Sequence, residues 1–209
     1  DRFAIDSSGN VGIGTSSPSS LVHFASTAPE LRLEDTDHVA FAQINAEGGN
    51  LRFDTDQGNQ EANSITSFRI DGSEKMRIDS NGLVLVGLTS TLPSNNAKLQ
   101  VAHTDGNADI IVHRAGNNAN PPSLNFQKTR NASIGNYGTI VQTNDELGSI
   151  RWGGADGSNI GFAARIVGAV DGTPSANDMP GRIQFHTSSD GSESLTERMR
   201  IDSSGRVQI

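Results

Sequence analysis

The sequence predicts an all-β fold assembled from repeated β-hairpin modules, and three observations carry that prediction. One short segment is written three times, at residues 2–13, 75–86 and 198–209, which is how a chain built as an array reads. Within each copy apolar and polar residues alternate, the period of a half-buried strand. Finally, Gly, Ser, Asn, Asp and Thr make up 95 of the 209 residues, so turns and short connections dominate.

Each copy has two arms around a turn. Before the turn, Phe3 and Ile5, Met76 and Ile78, and Met199 and Ile201 share one parity, while Arg2, Lys75, Arg77, Arg198 and Arg200 take the other. After it, Val11 and Ile13, Val84 and Val86, and Val207 and Ile209 resume the apolar positions. These twelve residues are the expected inward core. Between the arms stands Asp-Ser-Ser/Asn-Gly, with Asp6, Asp79 and Asp202 opening the turn and Gly9, Gly82 and Gly205 ending it. An Asp at the first position accepts a backbone hydrogen bond two residues on, and glycine follows a type I turn at positive φ.

Such a hairpin does not stand alone. Ordering a dozen residues costs roughly 1–2 kcal/mol each, and four buried side chains return at most about 1.5–3 kcal/mol each. A two-stranded ribbon therefore needs a partner for its apolar face, either another part of the chain or the same hairpin of a sister chain.

Composition narrows the class. Leu, Ile, Val and Phe number 47, about 22% of the chain, a thin supply of core just above the level where disorder becomes the default. The net charge of −8 is too dilute over 209 residues to hold the chain open. An acidic balance without Lys/Arg runs argues against nucleic acid as a partner. No apolar stretch approaches a membrane span. Cysteine is absent, so neither disulfides nor thiolate metal sites arise.

The repeats frame the organisation: 1–14 as the end of a preceding module, 15–87 as a first β module, and 88–209 as a larger second one. The chain reads as a window of a longer polypeptide. Unequal module lengths exclude a strict solenoid. Each module opens with a proline-bearing loop, Gly14 to Pro18 or Gly87 to Pro93, leading to a short strand at Leu21–Phe24 or Lys98–Val101. The first module adds strands at 30–34, 39–44, 51–54 and 65–70, and Asp71-Gly72 marks a tight hairpin. The second offers 109–113, 124–127, 138–142, 148–152, 162–170 and 182–186. Two alanines at 163–164 let a short helix compete there; the β reading is preferred.

Candidates for chemistry are weak. Asp54-Thr55-Asp56-Gln57-Gly58-Asn59 begins like a calcium loop, but its twelfth position is Ile65 where a bidentate Glu is needed. Glu34, Asp35 and Asp37 read as solvated turn carboxylates. His23, His38, His103, His113 and His186 lack the i, i+4 spacing of helical metal ligands, although an inward histidine could form a ring about a threefold axis. Asp145, Glu146 and Trp152 are the best local set for sugar hydrolysis, yet one Trp and one Tyr supply no aromatic platform. No nucleophile elbow or phosphate loop occurs. The expectation is a protein that is not an enzyme and carries no catalytic, cofactor or metal site.

The runs 197–205, Glu-Arg-Met-Arg-Ile-Asp-Ser-Ser-Gly, and 5–18, from Ile5 through Gly14 to Pro18, resemble repeats of tail-fibre proteins of tailed bacteriophages. Asp178 to Phe185 is similar to the same group. The resemblance implies a β-rich homotrimeric fibre, intertwined or β-prism-like, in a virion tail or neck appendage assembled in the host cytoplasm. Its implied partners are identical chains, other tail or neck proteins and, indirectly, a host-cell receptor. Relatives often end in a self-cleaving intramolecular chaperone, and no such domain is read here. Leu83 and Leu85 depart from the repeat and create a second apolar face in its middle copy. Rival expectations are a trimeric bacterial adhesin stalk and a trimeric polysaccharide depolymerase.

Overall fold

A computed structural model describes residues 3–38, 40–93 and 97–209, so Arg2 of the first repeat and Val39 of a predicted strand lie outside the described residues. Among the described residues all regular structure is β, and the chain divides into two compact units, Asp1–Ile111 and Val112–Ile209.

The first unit holds three sheets. Strands β1 (Phe3–Ile5), β2 (Val11–Ile13) and β3 (Val22–Phe24) form one, with β1 antiparallel to β2 and β3 parallel to it. Strands β4 (Glu30–Glu34), β5 (Phe41–Glu47) and β6 (Asn50–Thr55) make an antiparallel meander. The third contains β7 (Thr66–Ile70), β8 (Ser73–Ile78), β9 (Val84–Val86) and β10 (Leu99–Val101) in the order β10-β9-β8-β7, again with a parallel pair, β9 and β10. The unit ends beyond position 87 because β10 completes this sheet. In the β7–β8 turn, Asp71 and Gly72 both have positive φ, 50° and 72°, the type I′ geometry that matches strand twist.

The second unit carries one five-stranded antiparallel sheet in chain order: β11 (Glu146–Ala155), β12 (Ile160–Val170), β13 (Gly181–Ser188), β14 (Leu195–Ile201) and β15 (Val207–Gln208). Residues 163–164 lie inside β12, where the β-branched neighbours Ile166 and Val167 outweigh two alanines. Three predicted strands, 109–113, 124–127 and 138–142, form none. Their apolar pattern is right, but a strand exists only against a backbone partner, and this chain offers them no ladder.

All three repeats fold into the same turn. The Asp6 carboxylate accepts from the backbone N–H of Ser8 and Asn10 at 2.8 and 2.9 Å, Asp79 from Asn81 and Leu83 at 2.9 Å each, and Asp202 from Ser204 and Arg206 at 2.9 Å each. The amide of Gly9, Gly82 or Gly205 donates to the carbonyl of the same Asp, and all three glycines lie at φ 70–83°.

Candidate functional site

Register turns the alternation into continuous rows. In the first sheet, Phe3, Ile13 and Phe24 line up across the strands, as do Ile5, Val11 and Val22. In the meander, Leu31, Ile44 and Phe53 form the row. In the third sheet, Phe68, Met76, Val86 and Val101 form one row and Ile78, Val84 and Leu99 another. In the second unit, Ile150, Ile166, Phe185 and Met199 align, next to Ile183, Ile201 and Val207. Each sheet therefore presents one apolar face.

Those faces are largely open in the single chain; on that of the second unit Phe126 lies against Gly148, where a Cβ would stand 2.4 Å from it. Phe3 and Ile5 are 62% and 63% exposed, and Ile13, Ile78, Val207 and Ile209 are exposed as well. Val11, Met76, Val84, Val86, Met199 and Ile201 are half-buried. Ile209 lies past the end of β15, outside any ladder. Phe24, Leu99 and Val101 extend the repeat's rows onto a third, parallel strand. The sequence shows those strands but not their register.

The opposite faces close themselves. In the third sheet Leu85 and Gln100 lie side by side, 1% and 4% exposed, and the Leu92 amide donates to Gln100 Oε1 at 2.9 Å. Leu83 is buried too. The equivalent position in the first sheet is Gly12, where a Cβ would lie 2.3 Å from the Thr15 carbonyl, so its loop descends closer. Gly14 and Gly87, both at positive φ, let the backbone of Ala25 and Ala102 approach to 2.0 Å of where a Cβ would stand. In the meander, Asp54 accepts from Asn45 at 2.9 Å and Arg52 at 3.2 Å, while Arg32 stacks 3.6 Å from the Phe41 ring centroid.

In the second unit the closed face is polar. Val167 is fully buried between Ser149 and Gln184 in the register, and long arginine side chains lie across this face, their stems covering it. Arg165 reaches Glu146 at 2.9 Å, Arg200 chelates Glu197, and Glu197 also accepts from Gln184. Beneath them His186 is buried with neither ring nitrogen hydrogen-bonded. Burial, with Arg165 nearby, holds its pKa below the usual histidine value.

The chemical candidates occupy separate structural roles. Asp145 accepts two bonds of 2.7 Å from Arg130, with Lys128 at 3.5 Å, and these contacts press its carboxyl far below the usual carboxylate range. Glu146 pairs with Arg165, and Trp152 is half exposed on the apolar face. Asp56 closes its own loop by accepting from the amides of Gln60 and Glu61 and from Ser64 Oγ. His38 contacts Asp35 at 3.2 Å, His23 accepts from Ser19 and His103 from Asp105. Among the described residues, no three His, Asp or Glu side chains converge as metal ligands. The arrangement that the structure builds repeatedly is a sheet with one apolar face left largely open.

No family model matches the chain, and no curated protein matches it. Two solved structures are similar in fold. The carboxy-terminal domain of the bacteriophage T5 L-shaped tail fibre superposes with a TM-score of 0.51 at 14% identity, covering 87% of this chain and 77% of that one. The same domain with its intramolecular chaperone gives 0.57 at 15% identity, covering 87% of this chain and 53% of that one. This chain thus spans about half the length of the chaperone-bearing form. The all-β architecture is that of a phage tail-fibre domain.

Proposed function

We propose that this chain is a section of a phage tail fibre or related virion appendage, works as a homotrimer, and supports host-receptor attachment mechanically by carrying a receptor-binding part away from the particle. One observation supports this above the others. The chain exposes 15,456 Å², whereas a folded 22.0 kDa monomer exposes roughly 9,300 Å² by the scaling of surface with mass. The excess, about 6,000 Å², is of the size that obligate assemblies bury, and its apolar part lies on the open sheet faces and in loop residues such as Ile111 and Leu124. Three chains, rather than two, follow from the resemblance of the Glu-Arg-Met-Arg-Ile-Asp-Ser-Ser-Gly repeat to trimeric fibres.

Sedimentation equilibrium of the 209-residue chain tests the reading. The expected mass is three times 22.0 kDa. A 22 kDa species that melts cooperatively on its own overturns it. Antibody labelling of intact particles then places the chain, with the tail appendage as the expected position.

A further inference from the structure

The homotrimer proposed above leaves open which backbone crosses between chains, and the stretch between β10 and β11 supplies a candidate. From residue 103 to 129, among the described residues, no main-chain group is hydrogen-bonded to another main-chain group. Part of this stretch has a strand's composition: Asp109-Ile110-Ile111-Val112-His113, with Ile111 85% exposed and Ile110 and Val112 exposed beside it. Three consecutive branched apolar residues put side chains on both faces of an extended segment, the pattern of a strand covered on both sides. A solvated linker does not call for it.

A receiving edge exists in the second unit. Strand β11 is outermost in its sheet and has ten residues; the other outermost strands have six or fewer. Natural edges are kept short or are blunted by Lys, Pro or bulges. Here the bulges lie only at the two ends, between Glu146 and Gly148 and between Trp152 and Gly153. They leave Gly148–Trp152 as a regular stretch of five residues, without Lys or Pro and with Arg151 as its one charge, beside the exposed Ile150 and Trp152, and with Phe126 of the same chain against the Gly148 end. Five residues of unpaired strand thus match five residues of unpaired edge.

We propose that Asp109–His113 of one chain adds as a sixth strand to the outer edge of β11 in a second copy, so that each chain lends a strand to a sibling. In the register where the Ile111 N–H and C=O face β11, the inward main-chain groups of the extra strand pair with the outward ones of Gly148–Trp152, and its branched side chains lie beside the Ile150 and Trp152 face. Amide hydrogen exchange on the assembled chain tests this, together with Ile111→Pro, which removes a donor inside the ladder, and Asn118→Pro as a control in the turn-like run Asn117–Asn120.

Expected are exchange at 109–113 at least about a hundredfold slower than in a free peptide, faster exchange at Gly148–Trp152 in Ile111→Pro, and no change in Asn118→Pro. A trimer whose residues 109–113 exchange at the free-peptide rate overturns the strand exchange and leaves the oligomer standing. Protection at 109–113 with β11 indifferent to Ile111→Pro overturns it as well. A monomer overturns both.

Discussion

Asp6, Asp56, Asp145 and Asp202 each hold local backbone or a cation through an ionised carboxylate, and each has its pKa below the ordinary value. The dominant cause is a backbone N–H for Asp6, Asp56 and Asp202, and the Arg130 guanidinium for Asp145. A lowered folded-state pKa means stabilisation is complete above the unfolded value near 3.8 and disappears as pH falls through the folded one. His186 adds an earlier step of the same sign. Its folded form refuses a proton that the unfolded chain accepts below about pH 6.5. Thermal melts followed by circular dichroism should therefore show stability falling first from about pH 6.5 and again below about pH 4, and His186→Phe should flatten the first decline. The glycines separate in a second test. At Gly82 an added Cβ meets nothing, so Gly82→Ala costs only the left-handed backbone, about 1–2 kcal/mol. At Gly87 the Cβ would lie 2.0 Å from the Ala102 carbonyl, so Gly87→Ala should unpair β9 from β10 and lower the denaturation midpoint far more.

At the scale of the element, the hairpins were legible because everything that makes them is local: an Asp and a Gly three residues apart, with alternation on either side. The parallel third strand was legible as a strand but not as a partner, since nothing in Val22–Phe24 or Leu99–Val101 names its register. Segments 109–113, 124–127 and 138–142 form no strand in the single chain for the same reason. Their composition is that of strands, and the missing ingredient is a neighbour that the chain itself does not provide. The two faces of the third sheet give opposite mutational signatures. Leu85→Ala opens a cavity beside the buried Leu83 and Gln100 and should destabilise by about 2–5 kcal/mol in urea melts. Ile78→Asp touches little within the chain, but on association it would bury an unpaired charge. It should abolish assembly in sedimentation, and a variant that assembles and melts normally would refute the inward role of its row.

For the whole molecule, composition anticipated the outcome more closely than any motif. With 22% Leu, Ile, Val and Phe, the chain lacks the means to build an interior, and the largest side chains fully buried among the described residues are Leu85, Val167 and Val170. The apolar residues went to the sheet faces instead. The bare rows carry few charges although the chain bears −8. Association driven by them should persist from low salt to roughly 1 M, where the Debye length shrinks to about 3 Å; dissociation at high salt in sedimentation would point to ion pairs as the adhesive.

The thrice-written hairpin also poses a hazard. Identical greasy stripes invite two siblings to dock one copy out of step, the error that plagues any periodic sequence. Here the copies are 73 and then 123 residues apart, and they sit in sheets of three, four and five strands. A slipped pairing that satisfies one copy strands the others against mismatched partners. In the proposed trimer, irregular spacing would thus act as a key that admits a single alignment of the copies.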